Sequence, residues 1–141
     1  LAGRVSTEVS EKFGDLLAQP GIRPIGYVEN VADVYRSCDV FVFPTHEEGG
    51  PQVTFEAAGC GLALMVSPMG TGGAFRDGED AIVADPLDHD AWVENLRKLA
   101  SDGSAVSRLK AAARTRAEGY TWERVAEQRV ALLAARTGLR P

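Results

Sequence analysis

The chain has 141 residues, a length that suits one domain with a real hydrophobic core. Its formal net charge of −5 is spread without blocks of one sign, which argues against nucleic acid as a partner, since that calls for a basic face. No apolar run approaches the roughly 20 residues of a membrane span, and no signal peptide is visible. Cys38 and Cys60 lack metal-type spacing and are predicted to be buried free thiols, from which a cytoplasmic protein is expected.

The first elements alternate between strand and helix. Residues 1–3 are interpreted as the end of a strand, and residues 5–19 as the helix that follows it. A second strand is predicted near 22–28. A short helix is predicted at 30–37, with Asn30 as a plausible cap.

An apolar strand at 39–43 then runs into a glycine turn and a small-residue helix at 51–60. Pro51 suits the first helical position, because the N–H it lacks would be unpaired there. A strand, a glycine turn and a helix start form ligand sites at the carboxyl ends of strands in open α/β sheets. The free N–H groups and partial positive charge of a helix start suit an anionic ligand.

Two carboxylates, Glu48 and Glu56, frame this turn with seven residues between them. Glu48 precedes the helix and Glu56 lies inside it, so the carboxylates are expected on the order of 10 Å apart. A glycosidase pair needs about 5–9.5 Å and groups that face each other across one bond. The two glutamates are therefore interpreted as binding the two ends of one extended ligand, and not as an acid/base pair.

The rest of the chain is predicted to complete a parallel sheet and then turn helical. The predicted elements are a strand at 62–67, a glycine turn at 70–73, a short strand at 81–84, and helices at 91–101, 104–118 and 121–136. Asp90 is predicted to cap the first of these helices, whose apolar face comprises Trp92, Val93, Leu96 and Leu99. The last helix carries apolar Val125, Val130 and Leu133.

The segment 44–61 resembles the signature of family-4 (group 1) retaining glycosyltransferases of the GT-B fold, with two glutamates separated by seven residues. The matching positions are Pro44, Thr45, Glu48, Gly49, Glu56, Ala57, Gly61 and Leu64. Flanking runs at 25–40, 77–86 and 120–122 resemble the family's other motifs in the same order. One departure is that residues 71–76 lack the glutamate that the family has near its sugar pocket.

The resemblance implies a Rossmann-like, three-layer α/β domain, which is half of a GT-B fold, with a parallel sheet and C-terminal helices. It implies that Glu48 is the catalytic group that contacts the donor sugar, and that Glu56 accepts hydrogen bonds from the ribose. Backbone groups around the turn would bind sugar and phosphate, and two residues at a strand end would meet the base. The implied binding residues are Glu48, Gly49, Gly50, Pro51, Gln52, Val53, Glu56, Tyr27 and Val28.

By the same resemblance, residues 1–141 are one partial donor-binding domain, with the sheet and motif in 1–87 and helices in 88–141. The expected reaction moves a sugar from a nucleoside diphosphate to an acceptor hydroxyl with retention, without cofactor or metal. The N-terminal acceptor domain is expected to be missing or to lie on a separate chain. The diphosphate clamp is also expected to be missing, because Arg4 and Lys12 are spaced too widely for it. The fragment alone is therefore expected to be inactive, and the parent enzyme to associate peripherally with a membrane.

Other interpretations of these residues stay open. Glu48 can be a solvated loop carboxylate, Glu56 an exposed helix residue, and Tyr27 and Val28 purely structural. His46, near Glu48, is more often incidental in such a loop. The chain can also be a non-catalytic binding or regulatory module, or a partner subunit. A flavodoxin-like or receiver-type domain is disfavoured, because the required acidic cluster and late-strand lysine are not found.

Overall fold

The computed structural model describes residues 1–138, which form six α-helices and a three-stranded sheet. The helices are α1 (Thr7–Leu17), α2 (Val31–Arg36), α3 (Gln52–Gly59), α4 (His89–Ser101), α5 (Gly103–Ala117) and α6 (Trp122–Thr137). The strands are β1 (Val40–Phe43), β2 (Ala63–Val66) and β3 (Ile82–Val83), and short 3₁₀ turns occupy Met69–Thr71 and Glu118–Tyr120. The predicted range 88–141 ends with three residues that lie outside the described part.

The sheet is parallel, with β2 between β1 and β3. Phe43 pairs with Val66, and Met65 pairs with Ile82. All four residues of β2 are buried, as expected for a central parallel strand that is covered on both faces. The predicted α/β fold with a parallel sheet is confirmed.

Alternate residues of β2 point to opposite faces and feed two hydrophobic clusters. Leu64 and Val66 belong to a cluster with Tyr35, Ala57, Ala58 and Phe75, on the side that α3 covers. Ala63 and Met65 belong to a cluster with Trp92, Leu99 and Leu109, on the side that α4 and part of α5 cover. The result is the three-layer arrangement, with helices on both faces of the sheet.

The two strands predicted before β1 are reduced to a single bridge. Ala2 pairs with Gly26 in parallel, and the Gly3 N–H donates to the Gly26 carbonyl at 2.7 Å. Gly3 and Gly26 have positive φ angles of 108° and 68°. Because those angles take the backbone out of the extended region, the pairing stops after one bridge. The strand predictions at 1–3 and 22–28 are therefore wrong.

Two helix starts differ from the predictions because other side chains cap them. The helix expected from residue 5 begins at Thr7, where the Ser6 hydroxyl accepts from the Val9 N–H at 3.3 Å. The helix expected after Asp90 begins at His89, because Asp88 accepts from the Ala91 N–H at 3.0 Å.

Several of the apolar side chains named for the helices α4 and α6 lie at the surface. In α4, Trp92 and Leu99 are buried, whereas Val93 and Leu96 are exposed. No described residue of α6 is buried, so Val130 and Leu133 contribute nothing to the core. The thiol prediction also fails: Cys38 is exposed and Cys60 is only half-buried, although both are free.

Candidate functional site

The start of α3 lies next to the end of β1, as the motif predicted, but one residue later. Pro51 is the cap residue and Gln52 is the first helical residue. The Pro51 side chain is buried, while Gln52 and Val53 are exposed. The first turn of α3 carries no acidic side chain, so its partial positive charge is not neutralised from within the helix.

The loop 44–50 presents Glu48 and two glycines. Glu48 is half-buried, and its carboxylate accepts from the Thr45 hydroxyl at 3.4 Å. Gly49 and Gly50 are exposed, and the Gly50 carbonyl accepts from the Gln52 N–H at 2.8 Å. Of the predicted backbone donors, the Gln52 N–H therefore already has an acceptor within the chain.

Glu56 lies on the exposed side of α3, near the hydroxyl of Tyr35. The pKa of Tyr35 is raised from its ordinary value, first by burial and then by the negative charge of Glu56, with a further contribution from Cys60. Glu56 is thus accessible to solvent while it borders the buried aromatic cluster. In that cluster, the Tyr35 and Phe41 ring centres are 5.9 Å apart.

Two polar residues that the sequence did not single out support the loop and α3. The buried Ser67 hydroxyl donates to the Thr45 carbonyl at 2.6 Å, and the buried Thr54 hydroxyl donates to the Gly70 carbonyl at 2.8 Å. The sequence signal is slight: Ser67 is the polar residue that directly follows an all-apolar strand.

The glycine turn at 70–73 packs closely against α3. Gly72 has a positive φ of 59°, and a Cβ there would lie 2.7 Å from Phe55 Cε2 and 3.3 Å from Pro51 Cγ. Only glycine meets both conditions at this position. The close packing of this turn against Pro51 and Phe55 therefore holds the start of α3 in place.

Tyr27 and Val28 are placed differently from the prediction. They follow Gly26, whose segment pairs with residues 1–3 and not with the three-stranded sheet formed by the described residues. Tyr27 is 76% exposed and Val28 is half-buried. The expectation that they end a strand of the same sheet is wrong, and their contact with a base stays a prediction.

A buried carboxylate, Asp80, was also missed by sequence reasoning. It accepts from the Arg76 N–H at 2.7 Å and from Arg116 Nε at 2.6 Å, and Arg116 also pairs with Glu79 at 3.3 Å. Hydrogen bonding to Asp80, together with its charge, raises the pKa of Arg116. This network joins the loop after residue 75 to α5 and has a structural role.

Residues 1–138 contain no group of three or more histidine, cysteine, aspartate or glutamate side chains placed to hold a metal ion. None of their helices combines the length and the apolar character needed to cross a membrane.

Comparison with known proteins finds similarity to glycosyl transferases. A family model described as "Glycosyl transferases group 1" matches residues 1–102. A D-inositol 3-phosphate glycosyltransferase of Rhodococcus opacus is 32% identical over 100 residues, which are 70% of this chain.

The fold is similar to that of larger solved structures. Sucrose-phosphate synthase from Thermosynechococcus elongatus matches 91% of this chain with a TM-score of 0.79 and 21% identity. Anabaena HepE, solved in complex with UDP and glucose, matches 96% of it with a TM-score of 0.78 and 15% identity. The chain spans 22% of the length of the Rhodococcus relative, 33% of the synthase and 39% of HepE.

Proposed function

Because the chain belongs to the group 1 glycosyl transferases, we propose that its segment 44–61 binds a nucleoside-diphosphate sugar as the donor of a sugar transfer. The observation that carries the proposal is the juxtaposition of Glu48, on a loop, with a helix start that has no acidic residue in its first turn. A carboxylate suits sugar hydroxyls, and an unneutralised helix start suits phosphate. HepE, solved with UDP and glucose, supports the choice of ligand class.

In this proposal each element of the motif takes one part of the donor. Glu56 is an exposed, helix-borne acceptor for the ribose hydroxyls. Glu48 orients the sugar and stabilises it at the reacting centre. The backbone around Gly49, Gly50 and Val53 donates to sugar and phosphate oxygens.

The parent reaction transfers the sugar to an acceptor hydroxyl and keeps the anomeric configuration, without a resident metal. It requires an acceptor half and a diphosphate clamp, which in this proposal lie outside the 141 residues. The length comparison supports this, since the Rhodococcus relative is several times longer. The isolated chain is therefore inactive as a transferase, and turnover by the purified chain would contradict that statement.

Calorimetry with UDP and UDP-glucose tests donor binding. Glu56→Ala is expected to weaken both ligands at least about tenfold, because a charged acceptor of two ribose hydroxyls is lost. Glu127→Ala, which removes an exposed glutamate from α6, is the matched control and leaves both affinities unchanged. Absence of binding by the unmodified chain, or equal losses in both variants, would contradict the proposal.

A second candidate is a non-catalytic module or partner subunit. It is favoured by apolar side chains that α1 and α6 leave exposed, such as Phe13 and Leu132. In this case the chain associates with another polypeptide and binds no donor. The same calorimetry separates the two candidates.

A further inference from the structure

A buried chain of hydrogen bonds connects the loop that carries Glu48 to the helix that carries Glu56. The Ser67 hydroxyl donates to the Thr45 carbonyl at 2.6 Å and accepts from the Gly70 N–H at 3.3 Å. The Gly70 carbonyl in turn accepts from the Thr54 hydroxyl at 2.8 Å. Thr54 is in α3, two residues before Glu56.

Burial makes these bonds hard to replace. Both Ser67 and Thr54 are 0% exposed, so water has poor access to any group left unpaired there. Losing one partner of a buried hydrogen bond costs the desolvation of the other partner. The link between loop and helix is therefore stiff.

Ser67 extends the sheet pairing into the loop. Its N–H donates to the Phe43 carbonyl at 3.1 Å, and its hydroxyl holds the carbonyl of Thr45, two residues further on. Without the hydroxyl bond, the described pairing of this chain segment with β2 would end at Phe43.

Thr45 transmits this restraint to Glu48. Its hydroxyl lies 3.1 Å from the Glu47 carbonyl and 3.4 Å from the Glu48 carboxylate. A fixed Thr45 backbone therefore limits the directions that the Glu48 carboxylate can take.

We propose that Ser67 is a positioning residue for Glu48: through Thr45, it fixes the carboxylate that meets the sugar of the donor. The inference rests on the proposed function for the role of Glu48, but the restraint itself does not depend on a ligand. Ser67 touches no part of the donor in this scheme. Its removal should affect recognition of the sugar and leave recognition of the nucleotide unchanged.

The restraint is tested without ligand by NMR relaxation on Ser67→Ala. Backbone order parameters at residues 46–50 are expected to fall from a rigid value near 0.85 toward about 0.6. Those of β2 and α4 should stay unchanged. Ser107→Ala removes a hydroxyl that donates to the Gly103 carbonyl at 2.8 Å in α5, and serves as the matched control. An unchanged loop, or a fall spread over the whole chain, overturns the proposal.

The role in recognition is tested by calorimetry with UDP-glucose and UDP. Ser67→Ala is expected to weaken the binding of UDP-glucose about tenfold and the binding of UDP less than twofold. A tenfold loss is the size expected when one charge-assisted hydrogen bond is lost. In a Glu48→Gln background, the same change should add less than twofold. Equal losses for both ligands, or full additivity with Glu48→Gln, overturns the proposal.

Thr45→Val tests the same relay in case the Ser67→Ala variant does not fold. It keeps the carbonyl that Ser67 holds but removes the hydroxyl near Glu48. The loop should stay ordered while the affinity for UDP-glucose falls and that for UDP does not; an unchanged affinity for UDP-glucose overturns the proposed relay. If the unmodified chain binds neither ligand, the proposed function fails, and the relaxation result still decides whether Ser67 restrains the loop.

Discussion

The middle of the chain and its two flanking helices differ in what they bury. From β1 to Ala84, the chain contributes a fully buried strand, the buried side of α3 and the aromatic pair Phe55–Phe75 to the hydrophobic clusters of the core. The helices α1 and α6 have no described residue that is buried. Leu132 and Leu133, in α6, are each 62% exposed.

The difference places the candidate site on the rigid part of the molecule. Glu48 and α3 are attached to the buried middle through Ser67, Thr54 and Gly72, so their geometry is fixed before any ligand arrives. Among the residues that the structure describes, the flanking helices α1 and α6 contribute no buried residue to the core. Stability should therefore depend on the middle and only weakly on the flanks.

The largest difference is expected when one leucine of each region is replaced by alanine. Leu64→Ala removes a fully buried side chain of β2 and should lower the free energy of unfolding by about 2–5 kcal/mol. Leu132→Ala, at an exposed position of α6, should change it by less than about 0.5 kcal/mol. Urea denaturation measures both values. Comparable losses of unfolding free energy in the two variants would show that the flanking helices contribute to stability as much as the middle of the chain does.

A second test concerns the glycine turn behind α3. Gly72→Ala should cost about 2–3 kcal/mol, because a positive φ and a contact with Phe55 act together. Gly73→Ala, with a positive φ of 71° but open space around its Cβ, should cost about 1 kcal/mol. Gly59→Ala has neither problem and should be neutral or slightly stabilising. Equal costs at Gly72 and Gly73 would remove the argument for close packing.

Sequence reasoning found the middle of the fold because its signals are local. The apolar runs around β1 and β2, and the glycine turn before α3, place each element within one or two residues. The early strands failed because Gly3 and Gly26 adopt angles that no apolar pattern encodes. The flanking helix α6 was predicted correctly as a helix, but Val130, Leu132 and Leu133 stay exposed, since periodicity does not say whether a surface exists to cover them.

The candidate site likewise contains features that the sequence predicts and one that it does not. The positions of Glu48 on a loop and Glu56 on a helix follow from the motif itself. The role of Ser67 does not, because its bond to Thr45 spans 22 residues and depends on the pairing of Phe43 with Val66. Contacts of this kind are set by strand register, which the local sequence does not specify.

A third test uses the pH dependence of stability that Tyr35 produces. The pKa of Tyr35 is raised above 10.0 in the folded chain, mainly by burial and then by Glu56. A raised pKa means that the folded state holds the proton more tightly, so the contribution to stability is complete below pH 10.0 and is lost as pH rises through the folded value. Tyr35→Phe should remove this alkaline loss. Midpoints of urea unfolding at pH 8 to 11 measure it, and identical profiles for the two proteins would contradict the assignment.

The smallest effect is expected in α6, at the opposite end of the pH scale. The pKa of Glu123, in its first turn, is lowered from 4.5, first by the residue's own backbone N–H and then by the Thr121 side chain. A lowered pKa stabilises the helix start above pH 4.5, and the contribution is lost as pH falls through the folded value. NMR signals of the first turn of α6 should therefore change with acid in the unmodified chain and change less in Glu123→Gln. Because α6 buries nothing, the same titration should leave the signals of β2 in place. If β2 responds together with α6, the two regions unfold as one cooperative unit, and the flanking helix contributes to the support of the site.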